Sequence, residues 1–326
     1  MSKTIFVTGA AGFIGFHTCI ALHKRGDKVI GFDNFNPYYT PNLKRDRAAQ
    51  LKKMGIEIIE GDLNDLQLPS CTHVLHLAAQ AGVRYARTHP EAYVSSNLTG
   101  FIHLLEQLKH RPEIPFIYAS SSSVYGNNEK VPFAIEDRTD QPANLYAATK
   151  KANELLAYSY HNIYGIKATG LRYFTVYGPW GRPDMAYYTF TEAILKGEPI
   201  HLFNHGKMWR DFTYIDDIVE GTIAAVDLSA DLEIFNLGNH QSHELMHFVN
   251  LIEQSLAKRA NIVLEGPRID EMIKTYADID HAKKRLNYLP KTSLEQGLPK
   301  FVDWYLSYSS AKTSGSEFVI SDATMQ

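Results

Sequence analysis

The chain has 326 residues, of which 44% are hydrophobic and 21% charged, and its formal net charge is −3. That is ordinary globular composition, enough for one large α/β domain with a smaller partner, and it excludes a disordered or collagen-like chain. No excess positive charge draws it to nucleic acid or an anionic membrane, no apolar run approaches the ~20 residues that span a bilayer, and two cysteines cannot build a disulfide framework or a Cys-based zinc module.

In chain order, Lys3 leads directly into a β-rich run over 4–8, so no signal peptide is expected and a cytoplasmic protein is. The run ends in glycines, as a buried parallel strand does, and 13–25 follows with apolar residues at helical spacing. Further strands are expected at 28–32, 57–60, 73–77, 116–120 and 168–173, with helices notably at 98–109 and 145–164. This alternation implies right-handed βαβ units, and so an open parallel sheet with helices on both faces. After Tyr173 the pattern loosens, and Pro179, Pro183 and Pro199 punctuate shorter elements. We divide the chain into a nucleotide domain at 1–177, to which 211–240 returns, a smaller lobe at 178–210 and 241–308, and a polar tail at 309–326. Cys19 and Cys71 both sit in apolar stretches and are expected to be buried, inert thiols.

Gly9, Gly12 and Gly15 lie in Thr8-Gly-Ala-Ala-Gly-Phe-Ile-Gly15, between the first strand and the first helix. There Gly9 allows a tight turn, Gly12 lets a pyrophosphate approach the backbone, and Gly15 lets the helix pack against the strand. The helix start at Phe13 and Ile14 then offers free N–H groups and a positive dipole end to phosphates. Asp33, followed by Asn34, ends the second strand, where a carboxylate accepts from an adenosine ribose diol and repels a 2′-phosphate; NAD is therefore expected rather than NADP. Asp62, beside Leu63 after the third strand, either reaches the adenine edge or caps a turn. Tyr146 and Lys150 are four residues apart and share a helix face. An ammonium beside a phenol, together with a cationic nicotinamide, favours the phenolate, and a serine from the run 120–123 can relay its proton.

With these residues in place the sequence resembles the extended short-chain dehydrogenase/reductases, specifically the nucleotide-sugar epimerases, to about Tyr305. The resemblance implies a Rossmann-type doubly wound parallel sheet with a C-terminal substrate lobe, NAD retained through turnover, and a homodimer joined through helices of the NAD domain. It implies Ser121 as hydroxyl partner, Tyr146 as base and Lys150 as the ribose-binding lysine. His76-Leu-Ala-Ala79, with Ala78 and Ala79, matches the loop over the cofactor, Asn97 the asparagine supporting this site, and Tyr173 the residue beside the nicotinamide. Arg210 matches the diphosphate-binding arginine, and Arg268 falls where a second one often lies, although Arg268-Ile-Asp-Glu-Met272 departs from the usual Gly-Asp pair.

The reaction and the sugar are argued from the same resemblance. Related dehydratases place an Asp-Glu pair before Val-Tyr-Gly, and UDP-glucuronate decarboxylases a glutamate at the second position; here both are hydroxyls, Ser122 and Ser123, which favours epimerisation. The stretch Tyr173-Phe-Thr-Val-Tyr-Gly-Pro-Trp-Gly-Arg182, with Gln80-Ala-Gly-Val-Arg84 and Asn36-Pro-Tyr-Tyr39, is similar to the UDP-glucuronate 4-epimerases. Arg182 supplies a planar fork suited to a carboxylate, with Ser122, Ser123 and Thr175 as hydroxyl donors. The plainer reading of Arg182 is a surface ion pair with Asp184, and Arg84 either fixes the cofactor-side loop or touches substrate. The runner-up substrate is a neutral UDP-hexose or UDP-N-acetylhexosamine. Two alternatives come from other classes. A non-catalytic NAD sensor would typically lack Tyr146 or Lys150. A zinc hydrolase could use His243, Glu244 and His247 of His-Glu-Leu-Met-His, with Glu253 as a third ligand, if the histidines sat one helical turn apart; the competing reading is Ser242 capping an ordinary amphipathic helix.

Overall fold

The computed structural model describes residues 2–267 and 272–314. Its first half alternates β1 (Thr4–Thr8), α1 (Phe13–Lys24), β2 (Lys28–Asp33), α2 (Pro41–Lys53), β3 (Glu57–Glu60) and β4 (His73–His76). A short α3 (Pro90–Tyr93) then runs through a π-helical stretch, Val94–Thr99, into α4 (Gly100–Leu108). After β5 (Phe116–Ser121), the 20-residue α5 (Leu145–Tyr164) and β6 (Ala168–Tyr173) come β7 (Thr175–Tyr177), α6 (Ala186–Lys196), β8 (Pro199–Leu202), β9 (Trp209–Arg210) and β10 (Phe212–Tyr214). The chain closes with α7 (Ile215–Leu228), β11 (Leu232–Leu237), β12 (His243–Glu244), α8 (Leu245–Leu256), β13 (Asn261–Leu264), α9 (Asp280–Leu286) and α10 (Leu294–Ser314).

Seven parallel strands form one sheet in the order β11-β6-β5-β4-β1-β2-β3. Helices cover both faces, which is why the middle of β1 is apolar on both sides: Ile5 and Val7 pack into one core and Phe6 into the other. The order reverses between β1 and β4, and such a switch point opens a crevice at the carboxyl ends of the strands. On the β4 side of that crevice, buried polar groups tie β5 and β6 to α5. Arg172 of β6 donates to both oxygens of Glu154 on α5 at 2.8 and 2.9 Å, and Ser120 of β5 donates to the same carboxylate at 2.7 Å. The Ser120 hydroxyl thus serves the interior while Ser121, the next residue on the strand, faces the crevice. Smaller paired strands, β7 with β10, β9 with β12 and β8 with β13, carry the chain over the crevice mouth.

Two expectations change. The helix expected to begin at 98 is preceded by π-helical turns from Val94, which aim Asn97 sideways into the core. Residues 309–314, assigned to the tail, continue α10. That helix is anchored by an aromatic seam in which Tyr308 stacks on Trp304 with centroids 5.2 Å apart and both meet Trp180, while Lys312 pairs with Asp46 at 2.7 Å. Among the described residues no helix is long and apolar enough to cross a membrane.

Candidate active site

The glycine turn crosses from β1 to α1 with Gly9 in the left-handed region at φ +73°, and a Cβ there would lie 2.7 Å from the Ala78 nitrogen. At Gly15 a Cβ would lie 2.1 Å from the Gly9 carbonyl oxygen, so only glycine lets α1 sit this close to the turn. Gly12 occupies the N-cap position without a side-chain cap, and the first turn of α1 carries no acid. The helix start is therefore electropositive and open to an anion. Asp33 is 7% exposed, and its two oxygens accept from the backbone N–H groups of Ala11 (3.0 Å) and Phe35 (2.9 Å). Those bonds orient the carboxylate and leave lone pairs for two hydroxyls. Asp62 caps a 3-10 turn through the Asn64 nitrogen at 3.0 Å and accepts from the Asn34 amide at 3.0 Å. Burial opposes its ionisation, but these bonds hold its pKa below the ordinary carboxylate value. Capping is thus what Asp62 does, at a position that also borders the crevice.

Tyr146 lies in the first turn of α5, which Asn144 caps by accepting from the Ala147 nitrogen at 2.9 Å. Burial raises the Tyr146 pKa, and the opposing influences are the positive charge of Arg182 and a hydrogen bond with Ser121. The Lys150 ammonium, one turn on, donates to the Ala119 carbonyl at 2.9 Å, and burial pulls its pKa down to about 8. Arg182 is thus a cation that favours the phenolate, in addition to the Lys150 to which the sequence pointed. Lys150 keeps two further donors for a ligand.

Arg182 lies between β7 and α6. Its Nε and Nη2 donate to Asp184 at 3.0 and 2.6 Å, and the Tyr38 hydroxyl donates to the same carboxylate at 3.0 Å. Burial opposes ionisation of Asp184, but the Arg182 charge holds its pKa below the usual range. The expected Arg182–Asp184 pair thus exists, yet both residues line the crevice instead of lying on an outer surface.

One cavity of about 1160 Å³ gathers nearly all the expected positions. Its nucleotide end is bordered by Gly9, Gly12, Phe13, Ile14, Asp33, Asn34, Asp62, Leu63, Ala78 and Ala79. Ser121, Ser122, Ser123, Tyr146, Lys150 and Tyr173 line the same cavity, as do Arg84, Thr175, Arg182 and Arg210. The Tyr173 hydroxyl is tied to Thr222 at 2.9 Å, so its ring is presented as a wall. Arg210 donates to the Trp209 carbonyl at 2.9 Å, and the Arg84 guanidinium lies over the Phe203 ring at 5.8 Å.

Asn97 is not on the wall. Buried behind it, the Asn97 amide accepts from the Gln80 nitrogen at 2.7 Å and donates to the Gln80 carbonyl and the Thr149 hydroxyl, both at 3.0 Å. It holds the 77–80 loop against α5 and reaches the cavity only through its neighbours. Arg268 lies outside the described residues. Tyr38, Lys44 and Asn36 also line the cavity and were not singled out from the sequence. For Asn36 and Tyr38 the sequence signal was the Asn36-Pro-Tyr-Tyr39 stretch; Lys44 had none, and the fold brings its ammonium to the Asn36 carbonyl at 2.8 Å.

The His-Glu-Leu-Met-His segment does not form the helical pair that zinc binding assumes. His243 is on β12, paired with Arg210, and helix α8 begins only at Leu245. Ser242 is therefore not its N-cap. The cap position is Glu244, because backbone pairing with β9 extends the chain as far as that residue. His247 bonds to Glu295 at 2.8 Å, and Glu253 accepts from Arg259 and the Ala260 nitrogen. Among the described residues no group of three or more His, Cys, Asp or Glu side chains is placed to hold a metal ion.

A family model described as the NAD dependent epimerase/dehydratase family matches residues 5–238. The chain belongs to that family. Among its relatives, UDP-glucuronate 4-epimerase 4 of Arabidopsis thaliana is 53% identical over 332 residues, covering 94% of this chain and 76% of that one. Protein CapI of Staphylococcus aureus is 42% identical, covering 93% of this chain and 98% of its own. Among solved structures, the UDP-glucuronic acid 4-epimerase of Bacillus cereus, in complex with UDP-glucuronic acid and NAD, superimposes with a TM-score of 0.87 at 34% identity, over 94% of this chain and 99% of that one. That structure shares the fold described above, and the glycine cradle, Asp33 and Lys150 of this chain suit a dinucleotide.

Proposed function

We propose that this chain is an NAD-dependent 4-epimerase interconverting UDP-glucuronate and UDP-galacturonate. One observation carries the reading: an arginine, Arg182, lines the same cavity as the Ser121/Tyr146/Lys150 group, and Ser122, Ser123 and Thr175 line it too. A cation and three hydroxyls beside an acid–base pair suit a sugar that bears a carboxylate next to the reacting carbon. The likeness to the Arabidopsis and Bacillus cereus epimerases of UDP-glucuronate supports the same substrate.

In this mechanism Gly9, Gly12 and the start of α1 hold the pyrophosphate, Asp33 the adenosine ribose, and Lys150 the nicotinamide ribose. NAD, when bound, supplies the hydride acceptor for sugar C4 and a positive ring that favours the Tyr146 phenolate. Tyr146 takes the C4 hydroxyl proton through its oxygen, with Ser121 aligning that hydroxyl, and returns a proton after the 4-keto sugar has turned over. Arg210, with Arg268 as the resemblance implies, holds the diphosphate while the sugar rotates. The keto intermediate is a β-keto acid, which loses carbon dioxide if its carboxylate swings perpendicular to the ring. Arg182, Ser122, Ser123 and Thr175 restrain that swing.

The reading keeps the division into a nucleotide part, 1–177 with 211–240, and a UDP-sugar lobe, 178–210 with 241–308. It also takes the enzyme to be a cytoplasmic homodimer. Exposed Leu155, Tyr158 and Ile163 on α5, with Val94 and Ile102 on the α3–α4 arm, support a helix-to-helix dimer face. A monomer in sedimentation experiments would remove that part.

The deciding experiment is product analysis of UDP-glucuronate, UDP-glucose and UDP-N-acetylglucosamine, each incubated with purified enzyme. UDP-galacturonate from the first is expected. Turnover of a neutral sugar with UDP-glucuronate untouched would overturn the reading.

A further inference from the structure

Arg47, on α2, is fully buried, and among the described residues none of its hydrogen bonds goes to a carboxylate. Its Nη1 donates to the Ala11 carbonyl at 3.0 Å, within the glycine turn, and to the Tyr39 hydroxyl at 2.9 Å. Its Nη2 donates to the Trp180 carbonyl and, at 3.1 Å, to the Gly181 carbonyl, while its Nε has no partner. A buried cation is costly, and here carbonyl dipoles and a hydroxyl compensate it. Packing alone would be met by an apolar side chain, so the guanidinium is there for what it joins. It joins the dinucleotide turn to the two residues immediately before Arg182.

A second observation concerns the segment it holds. Trp180 adopts a left-handed backbone at φ +60°, unusual for a bulky residue. Such a conformation persists only where the surroundings over-determine it, and it clusters at functional sites. Here the indole packs on Phe16 of α1, with centroids 5.2 Å apart, and the preceding Pro179 carbonyl accepts from His17 of α1 at 2.9 Å. The next backbone nitrogen, that of Arg182, donates to the Tyr187 hydroxyl at 2.9 Å. The bent segment is therefore tied to the nucleotide side at Pro179, Trp180 and Gly181, and Arg182, the next residue, lines the cavity.

From this geometry we infer that Arg47 is a positioning residue for substrate choice: from beneath the dinucleotide turn it fixes the direction in which Arg182 enters the cavity, and so the enzyme's selection of an acidic over a neutral UDP-sugar. The inference rests on the acidic-sugar reading above and adds to it a residue that touches neither sugar nor cofactor. Lysine is the informative replacement, since a single ammonium keeps the charge but cannot reach the carbonyls of both segments in the fork geometry of a guanidinium.

The test is a double-mutant cycle on NAD-loaded enzyme, with binding of UDP-glucuronate and UDP-glucose measured by calorimetry. Arg47→Lys is expected to weaken UDP-glucuronate binding about tenfold when Arg182 is present and by less than about twofold in the Arg182→Leu background, which is the coupling expected of residues acting through one another. UDP-glucose binding should stay unchanged in both backgrounds. Should Arg47→Lys fail to yield loaded enzyme, Arg47→Gln keeps an amide donor for one of the two segments without the fork; the same cycle should then show a loss of about tenfold that again falls below about twofold in the Arg182→Leu background. Equal losses for both sugars, or the same loss with and without Arg182, would make Arg47 merely structural and overturn the inference. If wild-type enzyme itself binds the two sugars alike, the acidic-sugar reading fails first. A wild-type preference without coupling fails only the role of Arg47.

Discussion

Replacing Arg182 by leucine separates acidic from neutral substrates in a way that can be estimated from the geometry. The guanidinium spends its Nε and one Nη2 hydrogen on Asp184, at 3.0 and 2.6 Å, which leaves the Nη1 edge for a sugar carboxylate. Losing one charge-assisted contact costs about 1.5–3 kcal/mol, or on the order of 10–150-fold in binding. A second penalty has the same sign. Arg182→Leu leaves the Asp184 carboxylate with Tyr38 as its remaining side-chain donor, lining the cavity that must accept a second carboxylate. Asp184→Asn removes that repulsion, so Arg182→Leu/Asp184→Asn should recover part of the loss for UDP-glucuronate. UDP-glucose, which has no carboxylate, should change by less than about threefold in either variant, as for a contact that was never made. With the carboxylate less restrained, some UDP-4-keto-pentose should also be released. The assay is kcat/KM for both sugars, with products followed by mass spectrometry. Equal losses on both would mean that Arg182 serves only the packing of its loop, and the neutral-hexose reading would then lead.

Three other outcomes follow from the same geometry. Tyr146→Phe should lower kcat by about 10²–10⁴-fold, the worth of a positioned acid–base group, while thermal-shift titrations show UDP-glucuronate binding retained; activity within a few-fold of wild type would exclude the phenol from proton transfer. Asp33→Ala should bring NAD and NADP affinities at least about tenfold closer together by removing the carboxylate that repels a 2′-phosphate, and wild-type protein should release NAD on denaturation; finding NADP there instead would contradict the assignment. Finally, burial lowers the pKa of His17 to about 4 and that of His76 to about 3, both below the unfolded value of 6.5. The unfolded chain then binds more protons, so stability is lost as pH falls below about 6.5, by up to about 1.4 kcal/mol per pH unit for each histidine. His17→Gln keeps a donor for the Pro179 carbonyl but cannot titrate, and its melting temperature should fall less steeply between pH 6.5 and 4; an unchanged slope would show that His17 is not the group responsible.

What the sequence determined by itself is what short-range geometry encodes. Alternating apolar runs set the strands, and β3 and α5 begin and end where their residue patterns place them. The glycine turn is readable because strand, turn and helix are contiguous, and backbone sterics at Gly9 and Gly15 admit nothing larger. Tyr146 and Lys150 meet in one cavity because four residues make about one helical turn. Tertiary structure decided whatever depends on a partner far along the chain. Asp184 takes half of the Arg182 fork, with Tyr38 reaching it across 146 residues. Asn97 lies behind the wall because its amide finds Gln80 and Thr149. A zinc-like spacing came to nothing because Arg210 pairs with His243 and draws it into a strand before the helix can start. Nothing in the sequence marks Arg47; only folding brings the carbonyls of Ala11, Trp180 and Gly181 around it. Periodicity is written in neighbouring residues, whereas the partner of a buried polar group is chosen from the whole chain by whichever donor or acceptor the packed layers bring within reach.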